Sequence, residues 1–280
     1  MNSCLFSIFK RKFIPSKVFY KTKASQSKLK DPNQLPSSAS NFKKIHREAL
    51  NIHYKNVYSA NEILNPLPEN FKINNDLFVS NFTKEDLLTF PGSSIWQKLA
   101  NDEERSLAKY LNDAILNEQL SKKIRETFTD TLVNYFFAEF KLNKYPFTLR
   151  LQSDFGFSIS DKDIIAKSKT EYGESQISAE ILACAFTNFR NIESPTFKMD
   201  QTVYAIRVIG TRFTFYKVFL SIDYCEFLEN GFPPKTSTVT IIRFPPNDKI
   251  TFYGYNYADK NHRCLILDLL YRLKECLLKI

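Results

Sequence analysis

The stretch LRLQSDFGFSISDKDIIAKSKTEYGESQISAEILACAFTNF, residues 149–189, organises the rest of the sequence. It predicts a strand over 147–159 and, after a short turn, a second strand over 163–168. A helix is predicted over 174–189. Apolar side chains cover most of its circumference, which indicates a helix that is buried nearly all round.

A narrow polar stripe interrupts this helix. Gln176, Glu180 and Thr187 fall along one line when successive residues are placed 100° apart. Such a stripe faces either a thin strip of solvent, which is the commoner arrangement, or a functional cleft. The sequence leaves both readings open.

The preceding sequence is helical. Two helices are predicted between Ser94 and Leu142, and Tyr145-Pro146 ends the second. Their apolar faces consist of Leu107, Leu111, Ala114 and Ile115 in the first, and Ile124, Phe128, Leu132, Phe136 and Phe140 in the second. The aromatic stripe is expected to be a core face rather than a base-stacking surface.

The sequence after the organising stretch is rich in strands. Four strands and a closing helix are predicted, at 203–209, 212–220, 237–244, 249–255 and 262–280. A short helix is expected within 43–60. This alternation predicts an α/β protein, and no apolar run is long enough to span a membrane.

The net charge of +9 is concentrated at the start of the chain. Residues 1–47 carry 11 Lys and Arg against the single acid Asp31, whereas the remainder holds 28 of the 39 basic and 29 of the 30 acidic residues. The body is therefore nearly neutral and shows no domain-wide basic footprint for nucleic acid.

Residues 1–30 hold eight Lys or Arg and no acid, which is typical of a mitochondrial transit peptide. A disordered basic tail that touches nucleic acid is the alternative. Residues 31–42 have the composition of a linker. We therefore predict a basic leader and linker over 1–42 and a single globular domain over 43–280.

Cysteine and histidine patterns offer no local site. The five cysteines lack CxxC spacing and the three histidines are far apart in the sequence, which favours a reducing, intracellular compartment without a structural metal site. No phosphate-binding loop, HExxH or GxSxG motif is present.

The remaining candidate is a metal-dependent phosphodiesterase site. Such chemistry needs carboxylates at adjacent strand ends to hold Mg²⁺ and a cation beside them. Asp154 precedes Lys167 by 13 residues, and Lys169 follows. A strand hairpin between these positions would bring them together.

Residues 120–220, with the closing segment from His262, resemble the core of the PD-(D/E)XK nuclease superfamily, in the form found in fungal and oomycete members. The resemblance implies a restriction-endonuclease-like core over about 120–280, in which helices flank a mixed sheet. It also implies that Asp154 is a metal ligand, that Lys169 and Gln176 are catalytic, and that the cofactor is Mg²⁺.

Lys167 departs from this family pattern, because it stands where the family has a metal-binding Glu. Two unit charges about 4 Å apart interact by roughly 4 kcal/mol at an effective dielectric near 20, and exchanging an anionic ligand for a cation turns this attraction for a metal ion into repulsion. Glu180 lies one helical turn beyond Gln176 and is the candidate replacement ligand.

Three functions follow as expectations. The first is a catalytically impaired nuclease-like protein that binds nucleic acid. The second is an active Mg²⁺-dependent nuclease, a hydrolase that uses Glu180 as a migrated ligand. The third is a non-enzymatic structural or interaction protein, which the near-neutral body favours. The sequence does not distinguish DNA from RNA or indicate an oligomeric state.

Overall fold

The computed structural model describes residues 6–11, 29–72, 82–89, 97, 99, 101–119, 126–144, 155–159, 162–166, 173–190, 200–248, 251 and 254–279.

A mixed sheet forms the centre of the molecule. Its strands lie in the order β1 (Phe6–Arg11), β5 (Gln201–Ile209), β6 (Arg212–Leu220), β7 (Val239–Phe244) and β2 (Ile52–Asn56). The central pairs, β5 with β6 and β6 with β7, are antiparallel, whereas each edge strand is parallel to its neighbour. The short β8 (Tyr255–Asn256) pairs with the start of β6.

Helices cover one face of this sheet. They are α2 (Lys84–Leu88), α3 (Asp102–Gln119), α4 (Glu126–Glu139) and α7 (Lys260–Leu278). Leu111, Phe136 and Leu269 from these helices share one buried cluster with Ile206 and Phe215 of the sheet. The predicted core faces of α3 and α4 are confirmed for the described residues, although Phe128 is only half-buried.

The opposite face carries α5 (Glu174–Arg190), α6 (Ile222–Asn230) and the short α1 (Lys44–Ala49). The helix predicted over 174–189 is confirmed as α5, and its residues 176–186 are all buried. A sheet with helices on both faces confirms the predicted α/β class with a mixed sheet.

Residues 29–42 pack against this second face. Leu35, Ala39 and Phe42 are buried in the same cluster as α5, and two 3₁₀ turns, Pro32–Gln34 and Ala39–Asn41, hold them there. The segment 31–42, whose composition is that of a linker, therefore contributes three side chains to the core.

A separate hairpin lies beside α5. Its strands are β3 (Phe155–Ile159) and β4 (Lys162–Ala166), which pair antiparallel from Phe155 with Ala166 to Ile159 with Lys162. It confirms the two strands predicted around the turn, within the described residues. In the described chain this hairpin is a two-stranded sheet apart from the central one.

The short helix expected within 43–60 is present as α1, which ends at Ala49. Asn51 adopts φ +51, which ends α1, and its amide donates to the carbonyls of Pro233 and Pro234. The chain then enters β2, whose partner β7 lies far along the sequence. The strand predicted over 249–255 appears only as β8, with residues 249–250 and 252–253 outside the described chain.

Candidate functional site

The first half of α5 carries polar side chains on an otherwise apolar helix. Gln176 and Glu180 are buried, 3% and 5% exposed, and Nε2 of Gln176 donates to Oε1 of Glu180 at 2.7 Å. The spacing of four residues puts both side chains on one face of the helix, one turn apart. Two of the three stripe residues are therefore enclosed and do not face open solvent.

The oxygen of the Gln176 amide is also buried but accepts no hydrogen bond from the described residues. An unsatisfied buried acceptor costs about 1–3 kcal/mol. The third stripe residue, Thr187, is half-buried, and its hydroxyl donates to the carbonyl of Ala183 within the helix. Thr187 therefore has a local structural role.

The hairpin beside α5 leads to the other predicted site residues. Asp154 immediately precedes β3 and Lys167 immediately follows β4 in the sequence. Their neighbours Phe155 and Ala166 pair with each other in the hairpin. Asp154, Lys167 and Lys169 themselves lie outside the described residues. Their convergence with Gln176 and Glu180 remains a prediction.

A second polar group, which the sequence did not reveal, lies at the start of α5. The carboxylate of Glu174 is 3.3 Å from Nε of Arg243 on β7 and 3.9 Å from a terminal nitrogen of Arg47 on α1. Arg243 is 1% exposed and also donates to the carbonyl of Pro245 at 2.9 Å. One carboxylate thus contacts two guanidinium groups from two different elements.

Two tyrosines complete this group. The hydroxyl of Tyr54 on β2 donates to the backbone carbonyl of Glu174 at 2.5 Å, and the Arg47 guanidinium lies over its ring. Burial, and then the neighbouring Tyr216, raise the pKa of Tyr54 well above its ordinary value. Arg47, Arg243, Glu174, Tyr54 and Tyr216 are termed the arginine cluster below.

Tyr216 on β6 is 1% exposed and packs edge-on against the Tyr54 ring. Its hydroxyl has no hydrogen-bond partner among the described residues. A phenol is normally bonded when it is buried. The arginine cluster therefore holds an unused polar group in its interior.

A further arginine lies on the same face of the sheet. Arg207 on β5 stands opposite Thr214 on β6, and the two side chains are 3.4 Å apart. Tyr216 is two residues along β6 from Thr214, and it stands opposite Arg243 on β7. Buried arginines thus flank β6 from both sides, beneath α5.

The sequence contains a signal that could have revealed these arginines. Every second residue of β5 and β7 faces α5, and the other members of these two series that lie in the buried cluster are apolar. Arg207 and Arg243 are cations at positions of the same series. A cation at such a position is rarely buried without a partner. Arg47 had no such signal, because its short helix has no clear apolar pattern.

The described residues contain no group of three His, Cys, Asp or Glu side chains close enough to hold a metal ion. Within the same part of the chain, no helix has the length and hydrophobicity needed to cross a bilayer.

Comparisons of this chain with protein-family models, with curated proteins and with solved structures find no match.

Proposed function

We propose that this chain is a nuclease-like protein that binds nucleic acid and has largely lost metal-dependent hydrolase activity. The observation that carries the proposal is the buried pair of Gln176 and Glu180. Burying an amide and a carboxylate costs free energy that apolar residues at the same positions would not cost. Such a cost is typical of functional sites.

The order of the elements supports the same proposal. The pair lies in the first two turns of the helix that follows hairpin β3–β4, after two helices and before hairpin β5–β6. A restriction-endonuclease-like core has this order. In the proposal Asp154 is a metal ligand, and Lys169 acts with Gln176 at the phosphate.

Lys167 is the reason for proposing impairment. It supplies a positive charge where the family has a carboxylate, and this positive charge repels a divalent cation.

If Mg²⁺ binds, Asp154 and Glu180 would hold it. The metal would then supply an activated water and stabilise charge on the phosphate. Glu180 and the Gln176 amide oxygen are hard oxygen donors, which suits Mg²⁺.

The test measures binding and cleavage separately. We expect single-stranded DNA, plasmid or RNA to bind at low salt, where phosphate contacts are strongest, and to remain intact with Mg²⁺ or Mn²⁺. Robust cleavage that Asp154→Ala abolishes would show that the protein is not impaired. Absence of binding at low salt would instead favour a structural or interaction protein.

A second candidate is an active nuclease in which Glu180 replaces the missing ligand. The enclosure of Glu180 beside an unpartnered amide oxygen favours it. It predicts metal-dependent cleavage that Glu180→Gln removes, while Glu48→Gln, an exposed carboxylate on α1, leaves cleavage unchanged. Equal cleavage by wild type and Glu180→Gln would exclude Glu180 as a ligand.

A further inference from the structure

We propose that the arginine cluster is a phosphate-binding site, and that the Glu174 carboxylate occupies it until a phosphate displaces it. The identity of the ligand, a phosphate of a bound nucleic acid, rests on the proposed function. The site itself rests on the geometry of the cluster.

The charges of the cluster are unequal. Arg47 and Arg243 supply two positive charges, and Glu174 is the carboxylate that contacts both of them. Guanidinium groups bind phosphate through pairs of directed hydrogen bonds. Two arginines, one from α1 and one from β7, converge on this single carboxylate.

The fit of Glu174 is loose. Its oxygens lie 3.3 and 3.9 Å from the two guanidinium nitrogens, whereas charge-assisted hydrogen bonds between such groups are about 2.7–2.9 Å long. Nε of Arg47 is buried without a hydrogen-bond partner in the described chain, as is the hydroxyl of Tyr216. A tetrahedral anion with more acceptor oxygens would satisfy donors that Glu174 leaves unused.

The cluster opens to solvent on one side. Glu174 is about one-fifth exposed, at 21%, and Asn247, whose amide approaches Oε1 of Glu174 at 3.4 Å, is exposed. A Cβ placed at Gly173 would meet no atom within 4 Å, so space is free beside the start of α5. In the proposal, the Glu174 side chain turns toward this open side when the ligand enters.

The helix favours the same exchange. Glu174 is the first residue of α5, a helix of 17 residues, whose amino-terminal end carries a partial positive charge. An anion is stabilised at this end, and Glu174 now fills that role. A phosphate between the helix end and both arginines would receive the same stabilisation with more hydrogen bonds.

Three sources of phosphate must be distinguished: backbone phosphodiester, terminal phosphomonoester and inorganic phosphate. Short single-stranded DNA with a 5′-hydroxyl or a 5′-phosphate separates the first two in fluorescence anisotropy. Inorganic phosphate is titrated alone in calorimetry. A preference for the 5′-phosphate assigns the site to chain ends, and equal affinity assigns it to the backbone.

The variants are Arg47→Gln, Tyr216→Phe and Glu174→Gln. Loss of one phosphate contact weakens binding, and we expect Arg47→Gln to raise the Kd about threefold to tenfold and to lower its salt dependence. Tyr216→Phe should weaken binding less. Glu174→Gln should tighten binding, because it removes the competing charge.

Arg105→Gln is the matched control, since Arg105 is an exposed arginine that is also paired with one acid, Asp102. Thermal melting of each variant verifies that it is folded. Equal DNA affinity of Arg47→Gln and Arg105→Gln, with Glu174→Gln no tighter than wild type, would overturn the site while leaving DNA binding intact.

Failure of the proposed function has a different signature. If wild type binds no nucleic acid, calorimetry with inorganic phosphate decides the site by itself. Phosphate binding that Arg47→Gln weakens and Arg105→Gln leaves unchanged supports the site without nucleic acid. No heat of phosphate binding to wild type or to Glu174→Gln overturns it.

Discussion

Oε1 of Glu118, near the end of α3, accepts a hydrogen bond of 3.0 Å from the backbone amide of Thr211 in the turn between β5 and β6. This bond ties the tip of the central hairpin to the helical layer. Burial raises the pKa of Glu118, and the Thr211 bond lowers it by less. The contact therefore positions the turn with a carboxylate that is costly to ionise.

The raised pKa of Glu118 predicts a pH dependence of stability. The folded protein holds the Glu118 proton to a higher pH than the unfolded chain does. The stability linked to this group is therefore complete below the unfolded-state pKa and is lost as pH rises through the folded-state pKa. Glu118→Gln keeps the acceptor oxygen without the charge.

We accordingly expect Glu118→Gln to gain stability relative to wild type as pH rises from acid to neutral, with little difference at low pH. Urea unfolding across this pH range measures the difference. Glu103→Gln, an exposed position on the same helix, is the control. A gain that is independent of pH would contradict the prediction.

Gly210 is required at the tip of the same hairpin. Its φ is +57, which L-residues with a side chain rarely adopt, and an added Cβ would collide with the Glu118 carboxylate. We expect Gly210→Ala to destabilise the protein by about 1–3 kcal/mol, measured by urea unfolding.

A double variant separates the two causes of this loss. In a Glu118→Ala background the collision is absent, so Gly210→Ala should cost only the backbone strain. The two effects on the free energy of unfolding would then be less than additive. Full additivity would mean that the carboxylate moves aside without cost.

We expect the Gln176–Glu180 pair to serve nucleic-acid binding without adding to the stability of the fold. Replacing both residues by apolar ones of similar size, in Gln176→Met/Glu180→Leu, should leave the free energy of unfolding unchanged or raised. Nucleic-acid binding, measured by anisotropy, should fall. The single variant Glu180→Leu, which leaves the Gln176 amide unpaired, should be less stable than the double variant.

Residues 29–42 are expected to contribute to the core. Removing residues 1–42 takes away Leu35, Ala39 and Phe42, whereas removing residues 1–28 leaves all three. Each buried Leu or Phe is worth about 1.5–3 kcal/mol. We expect the free energy of unfolding to be lower by roughly 3 kcal/mol or more in the chain that lacks residues 1–42 than in the chain that lacks residues 1–28. Equal midpoints of the two chains in thermal melts would contradict this.

Local sequence patterns are sufficient to predict those helices and strands in which buried residues recur with a regular period. The apolar circumference of α5 predicts a buried helix, and the segments on either side of Gly210-Thr211 predict the strands that the structure shows as β5 and β6. Both depend on side chains close together in the chain, which respond to the same local geometry. The placement of Gln176 and Glu180 on one helix face follows in the same way.

The tertiary structure decided what depends on distant pairing. β2 was missed because its five residues form a strand only by pairing with β7, nearly 190 residues away. Arg47, Glu174 and Arg243 converge for the same reason: α1, α5 and β7 meet only after the sheet has assembled. Sequence periodicity specifies which face of an element is buried, but long-range packing alone specifies which charges are buried together.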